Sequence, residues 1–245
     1  MEKIKIEQQE KNKKYKLPIG NMIACGKESE IRKKKKDYFA GLKDEGIEWP
    51  VEIQGTGYSD FKKKEFKVWY PEGDIFLSFA ITIHELGHLR QGEIDKDFAT
   101  EGLGSSEQKL KDEEVNHNKS ENDAWLRGYE RTKKYCLEEL TRMEEKFQEY
   151  KNKGKFSEYG SFEDFFNYIV KIGLKITEFN DKVELPDEED ETQKGKLIGQ
   201  MIKEDKIINK FFTNQDVWRV GEKIEKNFAE GFIKKAAEKI AEEEY

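Results

Sequence analysis

The sequence predicts an α+β fold, mainly helical, with a small β-sheet beside one buried helix and a helical C-terminal extension. Three observations predict it. Residues 74–88 open on Asp74 and carry Ile75, Phe76, Leu77, Phe79, Ala80, Ile81 and Ile83, apolar on nearly every side, which marks a helix enclosed by other elements. Two β-rich pieces precede it, VEIQGTG at 51–57 and FKVWY at 66–70, the second closed by Pro71; they read as a hairpin or part of a small sheet. Downstream, three sets of apolar residues recur at three- and four-residue spacing, as helices lying on a core require.

Taken in order, residues 1–27 are polar and specify no element. Ser29 is placed to cap a helix through Ile31, Tyr38, Phe39 and Leu42 that stops near Gly46. The two strands follow, then the buried helix from Asp74, ending near Gly92. Residues 93–119 are polar, contain GLGSS, and read as a long loop with at most one short helix. Ser120 with Asp123 resembles a capping box. The helix it opens places Trp125, Tyr129, Cys136, Leu140, Met143 and Phe147 near one stripe and runs to about Tyr150. Lys153-Gly154-Lys155 marks a junction, dividing a domain at 1–152 from a helical extension at 153–245. In the extension Ser161 caps a helix bearing Phe162, Phe165, Phe166, Ile169 and Ile172, and PDEEDE at 186–191 is an acidic loop. A last long helix from about Asp216 carries Val220, Ile224, Phe228, Phe232, Ala236 and Ile240, spaced by four.

Composition narrows the function classes. A net charge of −7 argues against general affinity for nucleic acid or anionic membrane. The basic runs at Lys33–Lys36 and Lys62–Lys64 read as solvated faces in a chain that is 40% charged. The longest apolar run, IFLSFAITI at 75–83, is too short to span a bilayer. The opening MEKIKIEQQEKNKKYK lacks the apolar core of a secretory signal, so a cytoplasmic location is expected. Cys25 and Cys136 form no CxxC pair and no disulfide framework, and read as buried thiols.

The chemistry is carried by HELGH, residues 84–88, which holds two of the three histidines in the chain. On a helix each residue advances about 100°, so His84 and His88 project from one face a turn apart. Two imidazoles so placed can share one Zn²⁺. Glu85 stands beside them, where it flanks the metal and can take a proton from a metal-bound water. Gly87 keeps the helix surface low and suits close approach of another segment. A catalytic zinc takes three protein ligands and leaves one position for water. Glu121, in the phrase ENDAW, is a candidate for the third, with His117 and Asp123 as rivals.

HELGH followed by Glu121-x-x-Ala124 at the start of a helix resembles the ImmA/IrrE family of zinc metallopeptidases. The resemblance covers about residues 30–150. It implies a zincin-like domain with Zn²⁺ on His84, His88 and Glu121 and with Glu85 as the general base. It implies hydrolysis of peptide bonds, with a regulatory protein as one expected target, so the partner is a peptide or protein substrate. Zincins commonly hold substrate along a sheet edge, which would be FKVWY, although its aromatics suit a core better. The chain departs from the family at Trp125, where an asparagine often follows the alanine, and no helix-turn-helix module is evident. SprT-like proteins are a second zincin class, in which a third histidine, here His117, would bind the metal; the cysteine ribbon usual there is missing. His117, Tyr129 and Arg127 are the candidates for contacts to the oxyanion or substrate. The C-terminal stripe is expected to pack on the first domain, with helix-mediated self-association next. A reading from a different class is a non-catalytic binding or regulatory module stabilised by zinc.

Overall fold

The structure is a computed structural model and describes residues 22–24, 35–48, 56–60, 65–69, 73–89, 106–183 and 190–242. In chain order its elements are β1 (Met22–Ala24), α1 (Lys36–Asp44), β2 (Thr56–Asp60), β3 (Glu65–Trp69), α2 (Ile75–Gly87), α3 (Ser106–Tyr135), α4 (Leu137–Asn152), α5 (Phe162–Lys182), α6 (Glu191–Glu204), α7 (Lys206–Thr213), α8 (Gln215–Trp218) and α9 (Lys226–Glu242).

Helix α2 is the central element. Asp74 caps it, its Oδ1 accepting from the Phe76 N–H at 3.2 Å. Every residue of α2 is buried, as its all-round apolar sequence requires. Phe76 meets Phe156, Phe147 and Phe162 at centroid distances of 5.1, 5.6 and 6.3 Å. Phe79 meets Phe232 of α9 at 4.9 Å. Aromatic rings from α4, α5 and α9 thus surround α2, and buried residues from Tyr38 to Ile240 form a single apolar cluster.

The α+β class is corrected: the described chain is mainly α-helical. The strands are only three, five and five residues long, ordered β1-β3-β2, with β1 parallel and β2 antiparallel to β3. Val68, the strand residue whose side chain is described, is buried in the core. Helices α4, α5 and α9 turn apolar faces onto α2, and their rings meet Phe76 and Phe79. FKVWY is likewise not an edge, since β3 lies between the other two strands. Residues 51–55 of the expected first strand lie outside the described residues.

Other boundaries are also revised. Ser29 and Ile31 lie outside the described residues; α1 starts at Lys36 and buries Tyr38 and Leu42. Helix α2 ends at Gly87, short of Gly92. Residues 106–119 are helix rather than loop, and Ser120 is interior to α3 rather than its cap. The reason is compositional: Glu, Gln and Lys are strong helix formers, and no Gly or Pro interrupts 105–127. The helix expected to reach Tyr150 breaks at Cys136, which leaves helical geometry at φ −132° between α3 and α4.

Gly154, at φ +88°, turns the chain out of α4. Ser161 and Asp164 then form a reciprocal capping box for α5. Asp190 and Glu191 open α6 rather than completing an acidic loop, with Asp190 accepting from the Gln193 N–H. The expected single helix from Asp216 is two helices. Between α8 and α9, residues 220–224 run along the start of α2, with Gly221 at φ +76°. Ile75 N–H donates to Glu222 O at 2.8 Å, and Val220 and Gly221 N–H donate to Asp74 Oδ2 at 2.7 and 3.2 Å. Asp74 therefore caps α2 and clamps the C-terminal segment with the same carboxylate. No helix among the described residues is long and apolar enough to cross a membrane.

Candidate metal centre

The site forms where α2 and α3 cross at unusually short range. A Cβ on Gly87 would stand 1.7 Å from the carbonyl oxygen of Ala124, and one on Gly128 would stand 2.0 Å from that of Ile83. Only glycine at both positions permits this approach. Ala124 contributes a single methyl group where a larger side chain would crowd the crossing. The crossing brings the face of α3 that bears Glu121 and Trp125 onto the face of α2 that bears His84 and His88.

The result is a compact group of three side chains. One ligand atom from each of His84, His88 and Glu121 lies within 4.8 Å of the others. The two Nε2 atoms are 3.1 Å apart, Glu121 Oε2 is 3.2 Å from His84 Nε2, and Glu121 Oε1 is 3.5 Å from His88 Nε2. The rings meet nearly edge to face, at 81° and 4.5 Å between centroids. Side-chain exposure rises from 11% at His84 through 19% at Glu121 to 27% at His88, so the group opens toward solvent on the His88 side. Burial alone would push the Glu121 carboxyl up; hydrogen bonds from His84 and His88 outweigh that and hold it well below the usual carboxylate range.

These residues fit a small divalent cation. Two imidazole nitrogens and one carboxylate are a donor set for Zn²⁺ that leaves a fourth position open. Four-coordinate zinc with bonds of about 2.0–2.1 Å places its ligand atoms roughly 3.3 Å from one another. The three separations here, 3.1, 3.2 and 3.5 Å, are within a few tenths of that. Two imidazole lone pairs at 3.1 Å also repel unless a proton or a cation lies between them.

Helix α3 supplies further supports. Trp125 stacks on the His84 ring at 4.1 Å and 29°. Arg131, buried, donates from Nη1 to the carbonyl oxygens of Leu89, Leu86 and Gly87 at 2.9, 3.1 and 3.3 Å. Those carbonyls surround His88, and a guanidinium there satisfies helix-end acceptors and matches the negative end of the dipole. The sequence reading did not single out Arg131. A lone arginine nearly three turns after Glu121 looks like any surface residue, and its spacing of ten sets it about 80° from Glu121 around the helix.

Of the rivals for third ligand, Asp123 is paired with Arg127 one turn on and takes no part in the three-residue group. That pair also engages Arg127, expected as an oxyanion contact. The side chain of His117 lies outside the described residues; its backbone is helical within α3. Tyr129 is stacked on Phe166 of α5 at 4.6 Å, and its buried hydroxyl makes no hydrogen bond to the three-residue group. Glu85 follows His84 on α2 and is 6% exposed. No family model matches this chain, and neither curated proteins nor solved structures give a match.

Proposed function

We propose that this chain is a zinc-dependent peptidase in which His84, His88 and Glu121 hold the ion and Glu85 handles the proton. The observation that supports it most is the convergence of those three ligand atoms within 4.8 Å at a glycine-lined helix crossing. A Zn²⁺ ion there would lower the pKa of a water in the remaining position toward ~7 and polarise a peptide carbonyl.

The chain's own residues would act around it as follows. His84 and His88 would present Nε2 to the ion, while Glu121 would contribute the negative charge. Glu85, about 100° around the helix from His84, receives the proton of the attacking water and delivers it to the leaving amine. Arg131 holds the last carbonyls of α2 and so keeps His88 in place through substrate binding.

A second reading is supported by one observation. Glu85 is 6% exposed, which suits a residue enclosed beside a structural ion as well as a base shielded from bulk water. One experiment separates the two. Zinc-loaded wild type and Glu85→Gln are incubated with unstructured protein such as casein and with mixed peptide libraries. Cleavage by wild type that is lost in Glu85→Gln while zinc is retained supports the peptidase. Equal, background-level turnover in both, with zinc retained, supports the structural ion.

A further inference from the structure

His84 is oriented in an unusual way. Its Nδ1 is buried and makes no hydrogen bond among the described residues. An imidazole that binds metal through one nitrogen is ordinarily aligned by a hydrogen bond at the other. Here the ring lies instead on the indole of Trp125, centroids 4.1 Å apart and planes 29° from parallel.

The indole is itself confined. Phe166 of α5 meets it edge-on at 5.6 Å and 69°. On another side it fills the space beside Gly173, also on α5. A Cβ at 173 would stand 2.9 Å from Trp125 Cζ2 and 3.2 Å from Cε2 and Nε1. A rigid ring held by His84 and Phe166 cannot absorb that approach as a flexible chain end would. The side chain missing at 173 is therefore the seat of the indole.

We infer that Trp125 is the positioning residue for His84 and that Gly173 seats it, so that α5 is part of the support of the metal centre. The stack sets the plane of the His84 ring, and with it the direction of Nε2, without a hydrogen bond. The inference rests on the metal-binding reading above, and it extends that site to a helix that contributes no ligand. Neither Trp125 nor Gly173 touches the ion in this scheme; both act through His84.

The test compares Trp125→Leu, Trp125→Phe and Gly173→Ala with wild type, using two readouts. The first is the Zn²⁺ dissociation constant, measured in competition with a chromophoric chelator. The second is the chemical shift of the His84 ring protons in the metal-free protein, which the indole ring current displaces. The expected result is a loss of affinity of about tenfold or more in Trp125→Leu, in line with removal of an outer-shell partner. Gly173→Ala should weaken binding in the same direction while leaving every ligand intact, and Trp125→Phe should restore most of the affinity. The ring protons should move in both Trp125→Leu and Gly173→Ala.

Zn²⁺ affinity within twofold of wild type in Trp125→Leu and Gly173→Ala, with unchanged ring-proton shifts, overturns the inference. If Trp125→Leu does not fold, Gly173→Ala against wild type decides alone. A wild type that binds no Zn²⁺ would overturn the metal reading; His84 shifts indifferent to Trp125→Leu would overturn the stacking role by itself.

Discussion

Replacing Gly87 by alanine sets two effects against each other, and the structure says which wins. Alanine is the better helix former by about 1 kcal/mol, so at an open helical position the change stabilises. At Gly87 the new methyl group would lie 1.7 Å from Ala124 O, 2.5 Å from Ala124 C and 2.9 Å from Ala124 Cα. All three are backbone atoms of a packed helix. Reaching ordinary contact requires α2 and α3 to part by about 1.5 Å or more, and forcing extra volume into a packed interior costs about 1–3 kcal/mol, occasionally more. A 1.7 Å approach to backbone atoms places the cost at the upper end of that range, so after the propensity gain the net expectation is destabilisation by about 2 kcal/mol. Parting the helices also lengthens the 3.2 and 3.5 Å separations between the histidines and Glu121, so zinc affinity should fall with stability. Gly231 on α9 is the control, because a Cβ there meets nothing within 4 Å. Gly231→Ala should stabilise by about 0.5–1 kcal/mol. Urea unfolding of both variants measures the contrast, and each 1 kcal/mol should appear as roughly 2–4 °C in Tm for a chain of this size. A Gly87→Ala protein stabilised as much as Gly231→Ala, with zinc affinity intact, would refute the close crossing.

Other outcomes follow from the same contacts. Asp74→Ala should lose about 2–4 kcal/mol in chemical denaturation, because it removes the α2 cap and strands the Val220 and Gly221 N–H groups; a loss of only a few tenths would mean that the clamp is not formed. Arg131→Met keeps much of the apolar stem but leaves three carbonyls without their donor, and should cost about 2–3 kcal/mol; unchanged urea midpoints would contradict that. Burial acts to raise the Glu222 carboxyl, but hydrogen bonds from Lys146 and Tyr150 outweigh it and hold its pKa below the usual value. A carboxyl lowered in the folded state stabilises above its unfolded pKa of about 4.3 and loses that contribution as pH falls through the folded value. Wild type should therefore lose more stability between about pH 5 and 3 than Glu222→Gln does, and parallel curves would show that the pair contributes nothing. The same contact pushes the Tyr150 hydroxyl up to about 12, so its ultraviolet titration should move toward 10 in Glu222→Gln.

Legibility differed from element to element for physical reasons. HELGH was readable because two histidines four apart have one geometric consequence on a helix, and the helix itself was declared by its apolar run. Gly87 was read as a place where another segment comes close, and that segment is α3. Glu121 could be ranked above its rivals by its phrase; the packing that selects it, Ala124 against Gly87 and Ile83 against Gly128, depends on tertiary contact. The first turns of α3 were missed because residues 106–119 are rich in charge and show no apolar stripe, so a helix there resembles a loop. The C-terminal stripe was overread: Val220 and Ile224 keep the four-residue spacing of Phe228 and Phe232, yet Gly221 turns the backbone to φ +76° and the segment clamps α2 instead. The α+β class failed because local β-propensity at 51–70 does not fix how much of the chain becomes strand: the described strands are short, and most of the described residues are helical.

In the proposed site two adjacent turns of α2 and one residue of α3 make a single metal centre. Elemental analysis of purified protein after zinc loading and exhaustive dialysis tests it most directly, for wild type, His88→Ala and Glu121→Ala. About one zinc per chain is expected in wild type, and its loss in both variants, each still folded by circular dichroism. Zinc retained at full stoichiometry in Glu121→Ala, or none bound by wild type, would contradict it.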